Sequence, residues 1–142
     1  MPTDPHAHAE LSVVHGNPLQ GRHHAYPFIE FDDAAQPVEI ARYRVPEAGP
    51  HNLWVDWEND ILYVAYFNGG LRVVDISGDL VGDLYRQGRE IAKFYSDDLE
   101  SFIPNAPMVW GPQPFKGNIF FSDFHSGLWA VRLAPAAAAE RP

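Results

Sequence analysis

ILYVAYFNGGLRVVDI at residues 61–76 and IFFSDFHSGLWAVRL at residues 119–133 are two copies of one pattern. Aligned, Ile61 meets Ile119, Leu62 meets Phe120, Tyr63 meets Phe121, Tyr66 meets Phe124 and Asn68 meets Ser126. One glycine is then skipped. Gly70 meets Gly127, Leu71 meets Leu128, Val73 meets Ala130 and Val74 meets Val131. The offset is 58 residues before the gap (119 − 61) and 57 after it (128 − 71). Self-similarity at a nearly fixed period marks a repeat architecture, in which one supersecondary unit buries its faces on its neighbours.

Each copy reads as a hairpin. Residues 61–67 and 71–76 are rich in β-branched and aromatic side chains, and Asn68, Gly69 and Gly70 stand between them. Asn-Gly between two apolar runs predicts a type I′ turn, which needs positive φ at both central residues. Working outward, residues 52–57 (NLWVDW) and 90–95 read as flanking strands, and residues 58–60 as a tight turn. Residues 83–87 could form a helical turn, and so could residues 96–102 with Ser96 as the cap. In the second copy residues 107–110 read as a short strand, and 111–118 (GPQPFKGN) as a turn region containing two prolines. Ahead of both copies, residues 28–31 and 38–45 suggest two more strands, the latter alternating with a period near two. About nine strands result: two, then four, then three. Four strands followed by a restart is one blade of a β-propeller. The fold expected is all-β, with antiparallel four-stranded propeller-type blades in an incomplete ring. The blade parts are residues 26–45, 51–95 and 106–133. Residues 1–25 read as a His-rich arm with a short extended piece at 11–14, and residues 134–142 as a disordered Ala/Pro tail.

Composition narrows the function. The chain has 142 residues, 46% of them hydrophobic, enough for a folded core. Nineteen acidic and ten basic residues give a net charge of −9. With no Lys/Arg cluster, that charge argues against nucleic acid and anionic membranes as partners. No apolar run reaches the roughly 20 residues of a membrane-spanning helix. Residues 1–16 lack the basic and apolar regions of a secretory signal. There is no cysteine, so disulfides, thiolate metal sites and Cys nucleophiles are all excluded. Phosphate-binding glycine loops and the nucleophile elbow are absent as well.

The stretch PHNLWVDWENDILYVAYFNGGLRVVDIS, residues 50–77, resembles an LVIVD-type repeat. The likeness rests on His51 before the first strand, Leu62-Tyr63-Val64-Ala65, the glycine pair, and the run from Leu71 through Asp75 to Ser77. A fainter copy is Phe28-Ile29-Glu30-Phe31-Asp32, followed by Pro37, and the third copy lacks a counterpart of Asp75. The resemblance extends over residues 26–133. It implies propeller blades and an exported or periplasmic parent, and it carries no catalytic signature. Family members are long enough for a full ring. The resemblance therefore implies an open fragment, a self-assembling partial propeller, or a subunit completed by other chains.

Few residues carry candidate chemistry. His51, Asp123 and His125 are the candidate metal or acid/base residues, since a His/Asp pair suits either role. The preferred reading of Asp123 and His125 is that they satisfy backbone groups of the hairpin turn. His6, His8, His15, His23 and His24 read as a solvated arm. Asp56, Glu58 and Asp60 have oxygen-rich spacing but read as an acidic turn. Asp75 is expected to bond the following amides as an Asx-turn. The aromatics Trp54, Trp110, Phe121, Phe124 and Trp129 are the candidate interface. Two functions follow. The first is a non-enzymatic repeat module for protein interaction or assembly, with no cofactor, as a homo-oligomer or completed by other chains. The second is a metal-binding or metal-dependent oxidoreductase-like propeller using channel His and Asp residues.

Overall fold

A computed structural model of the chain describes residues 11–13, 26–30 and 37–134. Among them are eleven strands and no helix. In order they are β1 (Leu11–Val13), β2 (Tyr26–Glu30), β3 (Val38–Tyr43), β4 (Leu53–Asp56), β5 (Ile61–Ala65), β6 (Leu71–Asp75), β7 (Gly82–Asp83), β8 (Glu90–Phe94), β9 (Val109–Phe115), β10 (Asn118–Asp123) and β11 (Gly127–Val131). The fold is all-β. The first sheet has the order β1-β2-β3-β7, the middle sheet β4-β5-β6-β8 and the last sheet β9-β10-β11. Every pairing is antiparallel except β3 with β7, a two-residue strap that the β6–β8 connection lends to the first sheet. The arm and tail expected at residues 1–25 and 134–142 lie outside the described residues, apart from Ala134 and from β1, which pairs with β2.

The sheets stack face to face, and side chains of β5 and β6 alternate between two cores. Leu62, Val64 and Tyr66, with Val74 and Ile76, pack against Phe28, Ala41 and Tyr43 of the first sheet. Tyr63 and Ala65, with Leu71 and Val73, pack against Val109, Ile119 and Phe121 of the last sheet. We call the side of each sheet that looks toward the next sheet in chain order its forward face, and the opposite side its rear face. The middle sheet is covered on both, so its strands read as nearly continuous apolar runs. Full burial of one such side chain contributes about 1.5–3 kcal/mol.

Polar groups pin the first seam. Arg72 is 3% exposed. It donates to the Gly69 carbonyl (2.7 Å), to Glu90 (2.9 Å) and to the Tyr95 hydroxyl (2.7 Å). Tyr43 reaches across from the first sheet and donates to the same Glu90 oxygen at 2.5 Å. Burial, and then the hydrogen bond to Glu90, push the Tyr43 phenol far above its ordinary pKa. The phenol is thus a donor at any ordinary pH.

The structure changes the register of the repeat. In β5 and β6, Tyr63 pairs with Val73 and Leu62 with Val74. In β10 and β11, Phe120 pairs with Ala130 and Ile119 with Val131. The two hairpins therefore superpose with one ungapped offset of 57: Leu62 with Ile119 (119 − 62), Tyr66 with Asp123 (123 − 66), Gly70 with Gly127 (127 − 70) and Val74 with Val131 (131 − 74). The gapped alignment, which placed Ile61 on Ile119, is one residue out along β5. A one-residue slip moves every side chain to the other face of a sheet. Under the ungapped offset the buried residues of the two rear faces coincide.

Three local expectations also change. The connection between β5 and β6 is not an Asn-Gly type I′ turn. It spans residues 66–70, with Tyr66 N bonded to Gly70 O, and positive φ falls on Phe67 and Gly70. Two-residue turn geometry with both φ positive occurs at Lys116-Gly117 between β9 and β10. β9 runs through Pro112 and Pro114, which were expected in a turn. It can do so because it is an edge strand, where a missing N–H is tolerated. Residues 96–104 contain no helix, and the Ser96 hydroxyl donates to Asp123 where it was expected to cap one. Residues 84–88 likewise form turns, not a helix.

Candidate functional site

The ungapped register locates the candidate site. The forward face of the middle sheet presents Tyr63, Ala65, Leu71 and Val73, and the last sheet covers it. Their counterparts at plus 57 are Phe120, Ser122, Leu128 and Ala130. These lie on the forward face of the last sheet, which no sheet covers among the described residues. Leu71 is 1% exposed, whereas Leu128 is 79% exposed. Cross-strand pairing arranges this face in rows: Trp110–Ser122–Leu128, Gln113–Phe120–Ala130, and Phe115–Asn118–Arg132 at the margin. No carboxylate stands in these rows, although the chain carries nine more acids than bases. Its one formal charge is that of Arg132, whose guanidinium donates to Asn118 at 3.1 Å.

An aromatic cluster borders the face. Trp110 on β9 packs against His51 (ring centroids 3.8 Å apart), Phe67 (5.6 Å) and Phe124 (4.8 Å). Its indole N–H is buried and has no hydrogen-bond partner among the described residues. Phe124, in the turn after β10, is 66% exposed. Of the five candidate interface aromatics, Trp110 and Phe124 thus stand together at this face. Trp54 is partly exposed on β4, on the forward side of the middle sheet opposite Tyr63. Phe121 and Trp129 are used inside the chain: they stack on one another (7° between planes) and meet Phe94 in the second seam.

Asp123 is a structural knot. It is 4% exposed. Oδ2 accepts from Ser96 Oγ and from Met108 N, both at 2.6 Å. Oδ1 accepts from His125 N at 2.7 Å and Ser126 N at 3.0 Å. Burial pushes the carboxyl up, but these four hydrogen bonds outweigh it and hold the pKa below the usual carboxylate range. The ionised carboxylate joins Ser96, two residues past β8, Met108, just ahead of β9, and the β10–β11 turn.

His125 sets Nδ1 2.5 Å from the Ala106 carbonyl oxygen. His51 lies across the aromatic cluster, its backbone N–H bonded to Ala65 O. Among the described residues no three His, Cys, Asp or Glu side chains gather as a metal site would require. Asp56 accepts from the Asn59 backbone N–H (3.2 Å) and side-chain amide (2.8 Å), which fixes its turn. Asp75 Oδ1 accepts from Ser77 N at 2.8 Å, the Asx-turn expected of it, and the Ser77 hydrogen bonds lower its pKa. His6, His8, His15, His23 and His24 lie outside the described residues.

One cleft, of about 400 Å³, opens between the β4–β5 and β9–β10 turns, with Asp56, Tyr63, Lys116 and Asn118 in its wall. Burial, then the Asp56 charge, raise the Tyr63 phenol. No helix among the described residues is long and apolar enough to cross a membrane. Comparison with family models, with curated proteins and with solved structures finds no match.

Proposed function

We propose that this chain is a non-enzymatic β-propeller repeat module, an assembly subunit whose last sheet docks a further β-sheet. The observation that carries this reading is the register equivalence. Phe120, Leu128 and Ala130 occupy the positions that Tyr63, Leu71 and Val73 occupy where the last sheet lies on the middle one. A face built for stacking is repeated, and in its second occurrence Leu128 is highly exposed and Phe120 half-buried. Apolar sheet faces of this kind mark interaction surfaces. The middle sheet, a four-stranded meander with both faces covered, has the form of a propeller blade, and propellers close with four to eight blades.

Sedimentation of Leu128→Asp beside Leu99→Asp tests the reading. Both leucines are highly exposed, and only Leu128 is on the proposed face. Leu128→Asp is expected to lose the self-association that the parent and Leu99→Asp retain, with circular dichroism unchanged. Identical sedimentation of both variants and an associating parent would refute it.

A further inference from the structure

We propose that the sheet docking on the last sheet belongs to a second copy of this chain, which offers the rear face of its first sheet. Two chains then close head to tail into one six-sheet ring. This inference rests on the docking role proposed above.

The argument is one of direction. In both seams inside the chain, a forward face meets a rear face: Ala41 and Tyr43 of the first sheet meet Leu62 and Val64, and Tyr63 and Val73 meet Ile119 and Phe121. Among the described residues two sheet faces are left without a partner sheet. One is the forward face of the last sheet. The other is the rear face of the first. They have opposite sense, so a second copy can satisfy both with the contact the chain already makes twice. Packing the last sheet against its own duplicate would join two forward faces, which neither internal seam does.

The rear face of the first sheet also carries the mark of a seam residue. Arg42 sits between Ala41 and Tyr43 as Arg72 sits between Leu71 and Val73. Ala41 and Tyr43 point forward, so Arg42 points to the rear, as Arg72 does. Arg72 is bonded to Glu90 inside the first seam. Arg42 pairs with Glu39 at 2.7 Å, yet its side chain is 47% exposed. The rear face of the first sheet holds Arg42 and Glu39 as a neutral ion pair, and Arg42→Glu would set two unpaired carboxylates there in its place. With the three sheets of the described residues in each copy, closure at four to eight sheets selects two copies.

The test uses the full chain in three forms: the parent, Leu128→Asp and Arg42→Glu. Each contact in the ring takes one face from each end of the chain, so each variant alone should be a monomer of 16.0 kDa by light scattering. Mixed in equal amounts, Leu128→Asp keeps a sound first sheet and Arg42→Glu a sound last sheet. One intact seam forms, and the mass should rise toward twice that of the chain. Circular dichroism of each variant confirms that it is folded. A parent-like mass for Arg42→Glu with a monomeric Leu128→Asp would overturn the inference and leave the docking face standing. A mixture that stays monomeric would also overturn it. A parent-like mass for Leu128→Asp would overturn the docking face itself.

Discussion

Replacing Asp123 with alanine should be among the costliest single changes in the chain. The carboxylate accepts four hydrogen bonds at 2.6–3.0 Å. Three of the donors are backbone amides that no rotamer change can redirect. A hydrogen bond to a charged group contributes about 1.5–3 kcal/mol, and a donor left buried and unpaired costs about 1–3 kcal/mol. The four share one carboxylate and are not additive, so we expect a loss of about 3–5 kcal/mol. Against a total of about 5–15 kcal/mol for a domain, that is a large fraction. Urea unfolding followed by circular dichroism should show the midpoint falling with an unchanged slope.

The pH dependence supplies a second readout. The folded pKa of Asp123 is depressed. Its contribution is therefore present above the unfolded value of about 3.9 and lost as pH falls through the folded value. Asp123→Asn lacks this ionisation, so its deficit against the parent should shrink below about pH 4. A loss under about 1 kcal/mol for Asp123→Ala, or an Asp123→Asn deficit that does not change with pH, would refute the knot.

The other predictions concern the seams and turns. Gly70 and Gly127 both have positive φ, but a Cβ on Gly70 would lie 2.3 Å from the Phe94 carbonyl oxygen, while one on Gly127 meets nothing within 4 Å. Thermal unfolding should show Gly127→Ala losing about 1–2 kcal/mol, the cost of a side chain in the left-handed region, and Gly70→Ala distinctly more. Arg72→Met should cost about 3 kcal/mol in chemical denaturation, because it leaves Glu90 without its guanidinium and the Gly69 carbonyl without its donor.

Much of the strand layout was legible in the residues, and the facing of the strands was not. The repeat, the four strands of the middle sheet and the Asx-turn at Asp75 all follow from local pattern. The register did not, and β5 shows why. Both of its faces are buried, so Leu62-Tyr63-Val64-Ala65 is apolar throughout and holds no alternation to say which residue faces which way. Matching Ile61 to Ile119 looked better than matching Tyr66 to Asp123. Yet Tyr66 and Asp123 are equivalent, one filling the first seam and the other replacing that filling with a hydrogen-bond knot. The exposed face of the last sheet was hidden for the same reason: the 58-residue offset along β5 matches Tyr63 to Phe121, which faces the seam, whereas the 57-residue offset matches it to Phe120, on the outward face. The Tyr43–Glu90–Arg72–Tyr95 network joins residues up to 52 positions apart (95 − 43), and no short-range spacing announces it.

The most direct measurement is the mass of the unaltered chain by light scattering over a wide dilution series. The account predicts a two-chain particle, twice 16.0 kDa, that dissociates on dilution without passing through larger species. A chain that stays monomeric at every concentration, or that grows without limit into open polymers, would contradict it.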